Sequence, residues 1–235
     1  MIFMKKFLMY SFGILLAFIV IGGIIYVIKN EALPKGSSST EADQLAQKML
    51  TALNYDAYKD TRYLKWTFRK RDYVWDRENN LVDIKWDNTV VNLRILIPEL
   101  SNVFINGEIP SAKDKTEAIE NAISRFNNDS FWLIAPYKVM DPGTIRSLVT
   151  LNESTQGLKV TYSTGGTTPG DSYVWVLDEN YIPQYYKMWV DIIPVGGLKA
   201  TWINFEEMES GARIAQKREI EGLMEIPLSN VRAWN

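Results

Sequence analysis

The chain contains no cysteine and no histidine. The first absence excludes disulfides, thiolate nucleophiles, cysteine-ligated metals and a lipid-modified N-terminal cysteine. The second removes the usual general base near neutral pH and the commonest transition-metal ligand, so serine–histidine and cysteine–histidine catalysis cannot be built. Positive charge is not in excess either: 26 basic residues against 28 acidic ones give a formal net charge of −2. Without a positive field to attract phosphate backbones, no nucleic-acid partner is expected. An Asp-x-Asp-x-Asp-Gly calcium loop is missing. The one glycine-rich stretch, Gly165-Gly166-Thr167-Thr168-Pro169-Gly170-Asp171, lacks the Gly-Lys-Ser/Thr ending that cradles a phosphate, and it reads as a hairpin tip. No cofactor, no metal and no catalytic residue are expected, and the chain reads as a non-enzyme.

What is present is apolar and aromatic: 46% of the 235 residues are hydrophobic and 12% aromatic, enough for one packed core. Residues 7–28 form an uncharged run of 22. At about 1.5 Å per helical residue this run spans roughly 33 Å, sufficient for a bilayer core of about 30 Å. Lys5 and Lys6 precede it and no Ala-x-Ala cleavage site follows. The expectation is an uncleaved transmembrane signal anchor in the inner membrane, with residues 1–6 cytoplasmic and the remainder in the periplasm. Residues 29–41, which include Leu33-Pro34-Lys35-Gly36-Ser37-Ser38-Ser39, read as a flexible linker.

Residues 42–226 read as one β domain and residues 227–235 as a C-terminal tail. Ala42, Leu45, Ala46, Met49, Leu50, Leu53 and Ala57 recur at three- and four-residue spacing, which predicts an amphipathic helix to about Tyr58. Trp66 and Phe68, Tyr73 and Trp75, Val82, Ile84 and Trp86, then Val91, Leu93 and Ile95 alternate with polar neighbours, the periodicity of strands. The short polar segments between them suit hairpins and so predict sequential antiparallel strands. A second amphipathic helix is predicted over residues 112–127, from Ala118, Ile119, Ala122, Ile123 and Phe126. Strands resume at residues 130–135, 147–152, 158–164, 173–177, 182–190, 200–207 and 212–220. The fold class is therefore mainly β. About ten or eleven antiparallel strands would form a curled sheet or incomplete barrel, with the two helices covering its concave face.

Asp72, Asp76, Asp83 and Asp87 could supply the carboxylate pair that glycoside hydrolysis needs, but acids at turns and on outer strand faces are ordinarily solvated. Asp141-Pro142-Gly143 reads as a shaped turn. Seven of the eight tryptophans, at 66, 75, 86, 132, 175, 189 and 202, fall in predicted strands. Such rings either fill a core or line an apolar pocket. The candidate lining is Trp66, Phe68, Trp75, Ile84, Trp86, Leu93, Phe131, Leu133 and Trp175.

Asn128-Asp129-Ser130-Phe131-Trp132-Leu133-Ile134-Ala135-Pro136, then Asp141-Pro142-Gly143, together with the leading helix and the meander from Trp66 to Leu93, resemble exported proteins of Bacteroidetes-type bacteria related to the LolA/LolB lipoprotein-carrier superfamily. The resemblance covers about residues 42 to 222. It implies an incomplete antiparallel barrel with a helical lid, holding acyl chains in an apolar cavity. The chain departs from these carriers in having an apparent anchor and no cysteine. The expected partner is a lipid or lipoprotein acyl chain held at the membrane surface. The alternative is a regulatory or scaffold domain of the cell envelope that binds another protein and has no ligand cavity.

Overall fold

The computed structural model describes residues 27, 29–152, 155–164 and 168–235. Its strands form two antiparallel sheets that do not close into a barrel. β1 (Tyr63–Phe68), β2 (Arg71–Asp76), β3 (Leu81–Trp86), β4 (Thr89–Arg94) and β5 (Asn102–Ile105) make a meander. The second sheet follows chain order through β6 (Thr144–Asn152), β7 (Thr155–Tyr162), β8 (Ser172–Leu177), β9 (Pro183–Trp189), β10 (Leu198–Glu207), β11 (Arg213–Ile220) and β12 (Met224–Glu225). β13 (Leu228–Trp234) then crosses back and pairs with β1. The mainly β, antiparallel class expected from the sequence is thus observed, as sheets of six and seven strands rather than one curled sheet. The two adjoin where β11 lies beside β13. There the Ile226 N–H donates to the Arg218 carbonyl (2.8 Å) and the Ser210 N–H to the Ala233 carbonyl (3.0 Å).

The meander folds as its alternation dictates. In β3, Val82, Ile84 and Trp86 are buried while Leu81, Asp83 and Lys85 are exposed. Register stacks the inward rows, Trp66 opposite Tyr73 and Val82 opposite Leu93. The tight turns place Arg69, Asn80 and Asp87 at positive φ, a conformation that polar turn residues tolerate best. Asp72, Asp76 and Asp83 are all engaged at the surface, by Thr67, Arg62 and Asn92 respectively.

Three helices cover the sheets, and both predicted helices differ from expectation. The first predicted helix is divided into α1 (Thr40–Ala52), capped by Ser39, and α2 (Tyr55–Asp60), because Asn54 takes φ 57° between them. The second, α3 (Ala112–Ile134), continues through residues 130–135, which were expected to be a strand. Phe126, Ser130 and Leu133 extend its buried face at helical spacing, and buried Asp129 is held there by side chains of β2. Residues 227–235, expected to be a tail, contain β13. Its Leu228 and Ala233 are buried against β1, an alternation too short and polar to stand out in the sequence. α1 lies on β6 and β7, whereas α3 crosses from β4 to β11.

Residues 29–39, expected to be a flexible linker, are docked across the outer face of the seven-stranded sheet. The Glu31 N–H donates to the Gly196 carbonyl (2.9 Å), and the Glu31 carbonyl accepts from Trp189 Nε1 (2.7 Å). Lys187 Nζ meets Glu31 Oε1 at 2.6 Å, Lys159 Nζ donates to the Pro34 carbonyl (3.0 Å), and Ser37 bridges to Leu148. Gly36 passes so close that a Cβ there would stand 2.5 Å from the Leu148 carbonyl oxygen. Val174 is buried on this outer face while its neighbours Tyr173 and Trp175 point into the core, so β8 is covered on both sides. The expected anchor, residues 7–28, lies outside the described residues apart from Val27. No described helix is long and apolar enough to cross a membrane.

Candidate functional site

Between α3 and the inner face of the seven-stranded sheet is a cavity of about 480 Å³. Its deep wall is aromatic: Phe126, Phe131 and Trp132 come from α3, and Tyr162, Tyr173 and Tyr186 from β7, β8 and β9. Met188, Ile134 and Trp75 line it too, and polar Ser124, Asn127, Asn128, Ser130, Thr168 and Asp171 interrupt the apolar surface. Tyr173 packs edge to face against Tyr186 at 5.1 Å, and Phe131 is tilted against Tyr173 at 5.0 Å, so the rings brace one another. Toward one end the lining changes from buried Tyr186 and Met188 to exposed Pro142 and Ile192. Asp141-Pro142-Gly143 forms part of this rim. Lys138 is paired with Asp141, and Gly143 takes φ 82° with no room for a Cβ against Thr164 Oγ1.

Of the nine residues expected to line a pocket, Trp75 and Phe131 do so. Trp66, Phe68, Ile84, Trp86 and Leu93 are buried in the core beneath the meander, where Trp66 stacks on Tyr73 with centroids 4.6 Å apart. Leu133 is buried beneath α3. Trp175 is fully buried edge-on to Tyr186 at 4.8 Å, behind the wall rather than in it. The aromatic residues missed include the tyrosines of β7 to β9. Their signal was available, since Tyr173 shares parity with Trp175 and Tyr186 with Met188. Phe126 and Trp132 could only be placed once residues 112–134 were known to be one helix.

The electrostatics of the region are lopsided. Burial pushes the hydroxyls of Tyr162 and Tyr186 well above the ordinary phenol range, and neither has a protein hydrogen-bond partner. Beside Tyr186, Arg218 is fully buried. Burial lowers its pKa to about 9, so the guanidinium is still charged at neutral pH. It donates to the Leu133 carbonyl (3.2 Å) and lies 4.8 Å over the Trp202 ring, but its Nε and Nη1 have no partner. Among the described residues no cluster of acidic side chains could hold a metal. A second depression of about 470 Å³, at the other end of the sheet, mixes polar groups such as Asp178, Asn180, Gln184 and Arg213 with Ile182, Pro183, Trp202, Ile203 and Phe205, and has a single aromatic pair where the first cavity has a wall of rings. The aromatic cavity is the better candidate for an apolar ligand.

Fold and site together describe a two-sheet antiparallel β protein with an aromatic cavity roofed by a long helix. No family model matches the chain, and no curated protein matches it in sequence. Among solved structures, a DUF1329 family protein from Desulfovibrio piger is similar at 10% sequence identity. That similarity covers 83% of this chain and 93% of the other, with a TM-score of 0.41.

Proposed function

We propose that the chain is a non-enzymatic, membrane-tethered exported binding protein that holds a lipid, a lipoprotein acyl chain or another apolar ligand. The observation that carries this reading is the cavity of about 480 Å³, whose mainly apolar wall of aromatic and aliphatic side chains is edged by polar groups. Its size lies within the roughly 300 to 1,000 Å³ typical of small-molecule sites. The lipoprotein carriers that the sequence resembles hold acyl chains in an apolar space under a helical lid. The apolar run of residues 7–28 supports attachment to the inner membrane with the domain in the periplasm.

An acyl chain burying roughly 300 Å² at about 25 cal/mol per Å² gains several kcal/mol before the losses of binding, so micromolar affinity is expected. The test is titration of the purified full chain with a fluorescent fatty acid, alongside mass spectrometry of its lipid extract. Phe131→Glu places a charge in the wall on a half-buried helical position. It should weaken binding by about tenfold or more while the protein stays folded. A lipid-free extract and no saturable binding to the wild type would sink the proposal.

A second reading, an envelope scaffold that binds another protein, draws support from a different place. β5 is an open sheet edge, and Leu96, Ile97, Leu100 and Phe104 are exposed on or beside it. On that reading Leu100→Lys abolishes a specific cross-link from position 104 to one envelope protein, and fatty-acid binding is absent.

A further inference from the structure

Because every neighbouring pair in the seven-stranded sheet is antiparallel, the register gathers particular loops at one end. Thr144 pairs with Tyr162, Ser172 with Trp189, Leu198 with Met188, and Ala200 with Ile220. The turn before β6, the β9–β10 loop and the β11–β12 turn therefore share an end. The cavity rim is there, in Pro142, Ile192 and Ile193. The chain also arrives there: Lys29 Nζ stands 3.7 Å from Glu221 in the β11–β12 turn, and the Gly196 N–H donates to Asn30 Oδ1 (2.8 Å) in the β9–β10 loop. The apolar run ends one residue before Lys29. Five contacts between residues 29–31 and this end, rather than a slack tether, fix where the chain enters.

We infer that the β9–β10 loop and the β11–β12 turn form the surface that rests on the lipid bilayer, with the cavity rim turned toward the headgroups. The inference rests on the tethered reading above and adds an orientation to it. Ile192 is 72% exposed and Leu223 91%, with Met224 beside it, and these are the side chains that enter the headgroup and acyl boundary. Exposed apolar side chains do not select this end by themselves, since Leu96 is 74% exposed beside the β2–β3 turn at the opposite end. The docked entry of the chain selects it. An acyl chain could then pass between bilayer and cavity at the rim without crossing open water.

The absence of cysteine makes the test direct. Ile192→Cys, Leu223→Cys and Leu96→Cys, each in the full chain, are labelled with an environment-sensitive fluorophore and reconstituted into phosphatidylcholine–phosphatidylglycerol vesicles carrying nitroxide lipids. Labels at 192 and 223 should shift to the blue and be quenched at least about threefold more than the label at 96, as for groups about 5 to 10 Å into the boundary region. Adding Glu31→Arg, which turns the pair with Lys187 into a repulsion, should reduce that contrast. Equal quenching at all three positions, or none at 192 and 223 while the protein floats with the vesicles, overturns the orientation and leaves the tether standing. Failure to float overturns the tether, and the orientation falls with it.

Discussion

Arg71 and Arg218 enter the interior from different sheets, and their surroundings could hardly differ more. Arg71 meets buried Asp129 with two hydrogen bonds, of 2.7 and 3.0 Å, and the Tyr73 hydroxyl donates to the same carboxylate at 2.6 Å. That cluster pins α3 to the meander. Arg218, fully buried, has one carbonyl and one ring face for company. Buried polar atoms without protein partners occur in both halves of the core, Trp66 Nε1 and Trp75 Nε1 beneath the meander and the Tyr162 and Tyr186 hydroxyls beneath β7 to β9, but the cavity lies chiefly against the second. The half beneath the meander is the solid one, and room for a ligand lies in the second.

The largest expected effect tests the whole core. Burial raises the pKa of Tyr58, Tyr73, Tyr137, Tyr162, Tyr173 and Tyr186. The unfolded chain ionises its phenols near pH 10, the native one only higher, so this contribution is complete below about pH 10 and is lost as pH rises above it. Arg218 has the opposite sign: its penalty is present below about 9 and is relieved above it, one group against six. These six are half of the twelve tyrosines, and their share of the phenolate absorbance should therefore appear in one cooperative step with loss of far-ultraviolet dichroism. Ionisation of all twelve near pH 10 in a folded protein would contradict the burial.

Next come truncations that set the two halves against each other. Trp66→Ala, in the solid half, should cost about 3 to 5 kcal/mol in denaturant melts. Trp75→Ala, at the cavity wall, should cost less than half as much, and similar costs would mean that the cavity closes in solution. Asp129→Ala should cost about 3 kcal/mol by leaving Arg71 and the Tyr73 hydroxyl unpaired. Arg218→Met should instead stabilise the protein by about 1 to 3 kcal/mol, since it removes a buried charge that no carboxylate balances. A loss of stability there would reveal a counter-ion bound in solution. The smallest effect is Glu31→Ala, below about 1 kcal/mol, because the pair with Lys187 is half exposed.

Alternation and helical spacing in the sequence determined the antiparallel β class, the hairpins of the meander and the apolar faces of the helices, because each depends on neighbours within a few residues. They did not determine which strands share a sheet. β13 pairs with β1 across more than half the chain, and no local pattern encodes such a partner. The stretch from Ser130 to Ala135 shows why short apolar runs mislead: its composition suits a strand, but Asp129 held by Arg71 and Tyr73 keeps it helical. Likewise, glycine and serines in residues 29–39 describe a flexible chain in isolation, and only a complementary sheet face makes them a strap. The cavity belongs to the same category. Aromatic content announced the material for it, but whether rings fill or line a space depends on how closely α3 approaches each sheet, and that distance is set by tertiary contacts alone.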